Sequence, residues 1–294
     1  MNRPAEFIGI ASGIGARDPG CQDGPDVLQS LGFLQELEQQ SWLDPAARIL
    51  RAPHRDDSTP LQTIAALSRQ LADRVGLSLQ QGHFPLVIGG DHSCAIGTWS
   101  GVRNFMAPDQ ALGLIWIDAH MDSHTFATSE SQAIHGMPLA CLLGHGDPAL
   151  TAIGGIGSTA PKLRAADVCL IGVRSYESGE AALLERLGVR VYFMDEIRRR
   201  GLEAVLIEAQ ERVARNTHAW GISIDLDALD PIEEPGVGSP VPGGLFRAEL
   251  IAAMRRVCDS DTLCAMEIVE YNPYADAEFQ TADTVCKLCR VVIE

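Results

Sequence analysis

Three short segments place aspartate and histidine directly after an apolar run. The first, Gly89-Gly90-Asp91-His92-Ser93, follows Pro85 to Ile88; its two glycines let the chain leave a strand and bring the His92 ring close to a sheet edge. The second, Asp118-Ala119-His120-Met121-Asp122, follows Leu112 to Ile117. Side chains at i, i+2 and i+4 of an extended segment share one side, so Asp118, His120 and Asp122 are expected to face a common space. The third, Asp225-Leu226-Asp227, follows Ala219 to Ile224 and repeats the device. By the same alternation Asp91 and Asp230 point away from their neighbours and read as turn or supporting residues.

If the three strands are parallel, these ends lie on one edge of the sheet, where open α/β folds place their sites. Four carboxylates gathered there would repel one another and push some of their pKa values upward. No Lys or Arg within the three segments neutralises them. Two divalent cations would, and hard oxygen donors with two imidazoles suit manganese, while the lack of Cys argues against a thiolate zinc site. Two ions sharing carboxylates can hold a bridging hydroxide as a nucleophile at neutral pH. A single Asp-x-Asp after a strand is usually a cap or turn. Three such segments in one chain weigh against that reading.

Positioning these residues requires strands and helices in alternation. Continuous apolar runs of strand length occur at Phe7 to Ala11, Pro85 to Ile88, Leu112 to Ile117, Val168 to Val173, Val189 to Met194, Ala219 to Ile224 and Leu263 to Val269, as strands buried on both faces require. Helical periodicity marks Leu61 to Val75, Gly179 to Leu187, Leu202 to Val213, Ala248 to Cys258 and Asp276 to Cys289. With no internal repeat and no Ser/Pro-rich linker, one domain spanning residues 1–294 is the simplest organisation. Gly144 to Pro161 reads as a surface loop. Periodicity alone fits an eight-unit barrel and an open doubly wound sheet equally well. The glycines at Gly13 and Gly15, and at Gly154, Gly155 and Gly157, match neither a dinucleotide fingerprint nor a P-loop and read as turns.

Composition narrows the class. The 294 residues are 46% hydrophobic and 21% charged, enough to bury a full core. With 23 Lys plus Arg against 39 Asp plus Glu, the net charge of −16 opposes nucleic-acid and membrane-surface partners. The eight cysteines follow no small-domain disulfide spacing, the start carries no signal-peptide pattern, and no window reaches 18 apolar residues, so a cytoplasmic protein with free thiols is expected. Cys286 and Cys289 read as two thiols on one helix face rather than half of a zinc ribbon, because Cys258 and Cys264 are badly spaced to complete it. His54, His83, His145 and His218 are isolated and read as surface or core residues.

Taken in order, these segments resemble the arginase family of ureohydrolases over nearly the whole chain. Gly89-Gly90-Asp91-His92-Ser93 is similar to its GGDHS, Asp118-Ala119-His120-Met121-Asp122 to its DAHxD, and Ser223-Ile224-Asp225-Leu226-Asp227-Ala228-Leu229-Asp230-Pro231 to its S-x-D-x-D-x-x-DP. Gly20-Cys21-Gln22-Asp23-Gly24-Pro25, Pro240 to Leu245 and Glu270-Tyr271-Asn272-Pro273 add support. The resemblance implies an α/β fold with an open parallel eight-stranded sheet and helices on both faces, in three layers. It implies two Mn2+ ions, one held by His92, Asp118, Asp122 and Asp225 and the other by His120, Asp118, Asp225 and Asp227, with Asp118 and Asp225 bridging. A hydroxide between the ions would attack a guanidinium carbon, releasing urea and an amine. Glu270 matches the carboxylate that pairs with the guanidinium, and His135, in Ile134-His135-Gly136, a proton shuttle or general acid. The catalytic set is then His135, Glu270 and Asp122. The family commonly forms trimers or hexamers, so a homo-oligomer is expected.

The substrate is the finer question. Ser131 matches a serine at the amino-acid end of the substrate, and Glu177, in Gly172-Val173-Arg174-Ser175-Tyr176-Glu177, an aspartate near the α-amino group. These favour L-arginine, hydrolysed to L-ornithine and urea. His124 stands at a substrate-facing position where many arginases have Asn, and Gln132-Ala133 replaces their Gly-Asn, so the α-carboxylate contact differs. Agmatine, guanidino-acid and formimidoylglutamate hydrolysis are the alternatives within the class. A metallophosphoesterase and a deacetylase can both use Asp-x-His metal sites, the former with a Gly-Asn-His segment not found here, and an inactive metal-binding relative is weighed against by the intact ligand set and Glu270.

Overall fold

The computed structural model describes residues 4–32, 48–52, 57–154 and 160–293. Its strands are β1 (Ala5–Ala11), β2 (Arg48–Arg51), β3 (Phe84–Ile88), β4 (Leu112–Ile117), β5 (Val168–Val173), β6 (Arg190–Phe193), β7 (Ala219–Asp225) and β8 (Leu263–Val269). They form one sheet in the order β2-β1-β3-β8-β7-β4-β5-β6, with every pairing parallel. Strands β2 and β6 are its two edges, so the sheet is open and the eight-unit barrel is excluded.

Alternation along each strand divides the core between two faces. In β4, Ile115 and Ile117 join the cluster under the helices Leu202–Ala214, Arg247–Val257 and Gln280–Ile293. Leu112, Leu114 and Trp116 join the opposite cluster, under Pro60–Gln80 and Ala95–Phe105. Burial on both faces is why these strands carry unbroken apolar runs.

Three expectations need adjustment. Strand β2 and the helix Ala95–Phe105 do not show as runs or periodic stretches in the sequence. The last helix begins at Gln280 rather than Asp276, because the Asp276 carboxylate turns back to accept the N–H groups of Thr281 and Ala282 at 3.1 and 3.0 Å. Within Gly144 to Pro161 a short helix, Pro148–Thr151, buries Leu150 and nearby Ile153 fills a third core cluster, so this stretch is not merely a surface loop. His54 and the glycines 155 and 157 lie outside the described residues.

Candidate metal and substrate site

The site rests on the carboxyl ends of the four central strands, β3, β8, β7 and β4. After β3 the chain must turn beneath the β1 loop, where Asp91 N–H donates to the Ser12 carbonyl at 2.9 Å. A Cβ on Gly90 would sit 1.9 Å from that carbonyl oxygen, so only glycine fits. Asp91 then accepts the N–H groups of Gly15 and Ser93 at 2.9 and 3.0 Å, and Asp230 those of Ile232, Gly243 and Gly244. Both serve as turn-builders, as the alternation implied.

Asp118, His120 and Asp122 converge as expected, but not by strand alternation. Strand β4 ends at Ile117, and the chain turns through Asp122 in the left-handed region at φ 46°. Glu270, immediately after β8, is likewise left-handed at φ 65°. Left-handed non-glycine residues cost on the order of 1 kcal/mol each. Two of them at one site mark where the backbone is bent to aim side chains.

Two groups of donors result. His92, Asp118, Asp122 and Asp225 form one and Asp118, His120 and Asp227 the other, each with its donor atoms within 4.8 Å of one another. His92 Nδ1 lies 3.0 Å from Asp122 Oδ2, 3.1 Å from Asp225 Oδ2 and 3.4 Å from Asp118 Oδ2. His120 Nδ1 lies 3.0 Å from Asp227 Oδ2 and 3.5 Å from Asp118 Oδ1. Asp118 therefore joins both groups through its two oxygens. Asp225 is placed with the first group, and its Oδ1 caps the turn after β7 by accepting Asp227 N–H at 2.9 Å.

The electrostatics are those of a cation site. Burial and the charge of Asp118 push Asp122 up to about 7. Burial and neighbouring carboxylates push Asp225 well above the usual range and raise Asp227. Asp118 is held below it: burial acts upward, but the hydrogen bonds of His120 and His92 outweigh it. Burial also opposes charge on both imidazoles, and the surrounding aspartates overcome it and raise them strongly. Arg174, outside the three segments, brings positive charge close to Asp227 and Asp118, although its guanidinium is spent on carbonyls including those of Asp227 and Val241. Four carboxylates and two imidazoles without sulfur, all buried except half-buried His120, fit divalent cations of the manganese type.

Above the donors opens a cavity of about 620 Å3. His120, His135 and Glu270 lie at its wall together with Arg17, Ser131, Glu177 and Glu180. Glu270 is fully buried; its Oε1 accepts His92 N–H at 3.0 Å and pairs with His135 Nδ1 at 3.0 Å, and its Oε2 lies 3.2 Å from Cys21 Sγ. Burial would raise Glu270, but His135 and these donors hold it below the usual carboxylate range. Burial would lower His135, and the hydrogen bond and charge of Glu270 push it up to about 9.

His124 does not line the cavity. Its Nε2 faces Glu177 and Glu180 at 3.3 and 3.7 Å and its Nδ1 meets Thr128 Oγ1 at 3.1 Å, so it braces two cavity carboxylates instead of facing the substrate space. Gln132 is also turned away, its amide folded back on the carbonyls of Phe126 and Ser129. His83 is not isolated: its Nδ1 lies 3.6 Å from buried Glu6, which also pairs with Arg74.

Several participants were not visible in the motifs. Trp116 stacks on His92 with centroids 4.2 Å apart and donates to Asp118 Oδ2 at 2.8 Å. Glu180, pushed up to about 7 by burial, accepts the Glu177 N–H at 2.8 Å. The pair forms a capping box at the start of the Ser178–Leu187 helix, and its Glu-x-x-Glu spacing was the available signal.

The arginase-family model matches residues 3–293. An arginase of Brevibacillus brevis is 39% identical over 96% of this chain and 95% of its own. The native arginase structure from Bacillus caldovelox superposes with a TM-score of 0.89 at 37% identity, covering 99% of this chain and 98% of that one. An Entamoeba histolytica arginase in complex with L-ornithine gives 0.87 at 28% identity, covering 99% and 98%.

Proposed function

The chain belongs to the arginase family, and from that premise we propose that it hydrolyses the guanidinium group of L-arginine to L-ornithine and urea with two Mn2+ ions. The observation that carries this reading is the pair of donor groups sharing Asp118 beside the buried Glu270 carboxylate. His92, Asp118, Asp122 and Asp225 would hold one ion, and His120, Asp118 and Asp227 the other. Bound there, divalent cations supply Lewis acidity and a water of lowered pKa as nucleophile.

The remaining work falls to the chain's own side chains. Glu270, ionised and with its backbone fixed against Gly90, accepts the planar guanidinium and places its carbon over the donor groups. His135, a hydrogen bond away from Glu270, is positioned to give a proton to the departing amine. Glu177 and Glu180 suit the α-ammonium group, and Ser131 offers a hydroxyl at the cavity wall. Arg17, the one Lys or Arg lining the cavity among the described residues, suits the α-carboxylate. His124 supports Glu177 and Glu180 from outside the cavity.

A cytoplasmic homo-oligomer, trimer or hexamer, is part of the same proposal. Among the described residues no helix is long and apolar enough to cross a membrane, and Ile232, Tyr274 and Phe246 stand exposed as material for subunit contacts. The test of function is urea release from L-arginine with Mn2+, run beside agmatine, guanidinobutyrate and formimidoylglutamate; turnover of another compound with none of arginine would overturn the substrate assignment.

A further inference from the structure

Glu267 lies on β8, three residues before Glu270; it is wholly buried and has no part in the chemistry outlined above. A carboxylate with no exposure needs donors on both oxygens. Its Oε1 accepts from Ser223 Oγ at 2.7 Å and from Trp99 Nε1 at 3.1 Å. Its Oε2 accepts from Thr98 Oγ1 at 2.5 Å, with Cys94 Sγ at 3.7 Å. Ser223, also wholly buried, is in turn 3.0 Å from His92 Nε2.

The direction of this chain follows from proton counting. With Trp99 Nε1, Thr98 Oγ1 and Cys94 Sγ all donating to it, Glu267 acts as the acceptor of this network, so the single hydroxyl proton of Ser223 goes to Glu267. Ser223 can then meet His92 only as an acceptor, which requires the proton on Nε2. When the ring is neutral, as a metal donor must be, its lone pair is thereby assigned to Nδ1, the atom that faces Asp118, Asp122 and Asp225. Trp116, stacked within 15° of parallel, keeps the ring from rotating out of that plane.

We propose that Glu267, acting through Ser223, is a positioning residue that fixes the tautomer and aim of His92 so that Nδ1 is presented to a metal ion. This rests on the reading of His92 as a metal donor. It gives four buried residues, Ser223 and Glu267 of the sheet and Thr98 and Trp99 of the helix Ala95–Phe105, a role in metal affinity although none lines the substrate cavity. Partners of a ligand histidine's second nitrogen commonly change metal affinity by about 10–100-fold.

The test is a two-site Mn2+ titration of metal-stripped protein by calorimetry, with melting of the metal-free form as a check on folding. Ser223→Ala is expected to weaken the His92 site by about 10–100-fold and leave the His120 site close to its original affinity. Glu267→Gln keeps the shape, and its amide oxygen still accepts from Ser223 and Trp99, so a smaller loss of about 3–10-fold at the same site is expected. A merely structural role would weaken both sites together or neither. If Ser223→Ala does not fold, Glu267→Gln carries the test. Unchanged affinity at the His92 site, or equal loss at both sites, overturns the proposal. Failure of the unsubstituted chain to bind Mn2+ would instead overturn the reading of the donor groups on which it rests.

Discussion

Individual side chains divide by whether their role is local in sequence. Asp227→Ala removes one of three donors from the second group and should cut bound Mn2+ from two ions per chain toward one, with turnover falling more than about 100-fold; elemental analysis and urea assay check the two together. Glu270→Gln keeps the shape but removes the buried charge, and kcat/KM should fall about 100-fold with metal content unchanged. Arg17→Ala should raise KM for L-arginine about tenfold and leave agmatine, which has no carboxylate, nearly unaffected. Equal loss on both substrates would remove Arg17 from carboxylate recognition. The candidate metal donors were legible because each sits at a strand end or in the short turn that follows it, and their types announce the chemistry. Trp116 and Arg17 were not, because the ring and the cavity they meet are built by distant segments, and the Glu-x-x-Glu spacing of Glu180 marked a helix start but not a cavity wall. His124 was legible as a position but not by its partners: its ring stands behind the cavity carboxylates Glu177 and Glu180.

Secondary structure shows the same division. Six strands could be read because burial on both faces demands continuous apolar residues, edge strand β6 was read from its apolar residues although only partly buried, and β2 was missed because it is an edge strand of four residues with arginine at each end. The helix Ala95–Phe105 escaped because Gly97, Thr98, Ser100 and Gly101 weaken its helical signature. Its glycine content reflects packing: a Cβ on Gly101 would lie 2.6 Å from the Ala72 carbonyl of the Pro60–Gln80 helix. Strand order was beyond pattern altogether: the resemblance implied an open parallel sheet of eight strands but not their sequence across it. The turn after β3 makes the tightest demand, since it delivers both His92 and the carbonyl that holds Glu270. Gly90→Ala should therefore destabilise the chain by about 2–3 kcal/mol in denaturant melts and weaken Mn2+ binding at the His92 site. Unaltered stability would mean that the β1 loop yields at little cost.

For the molecule as a whole, the donor groups tie folding to metal and to pH. In metal-free protein Asp122 and Glu180 are pushed up to about 7, so each is a cost that is absent below the ordinary carboxylate range and complete above about 7. His135, pushed up to about 9, contributes stability that is full below about 6.5 and lost as pH rises through 9. All three act in one direction: metal-free protein should lose stability as pH climbs from about 4 to 9. Divalent cations offset the Asp122 part, so the difference in Tm between Mn2+-loaded and chelated protein should widen across the lower half of that range. A constant difference would contradict the coupling. The acid surplus in the composition is thus partly ordered machinery rather than surface charge. Whether that machinery acts on arginine is decided by one measurement, urea formation from L-arginine by Mn2+-loaded protein before and after chelation. Manganese-dependent release of urea with L-ornithine in equal amount is the predicted result; no urea from arginine at any Mn2+ concentration would contradict it.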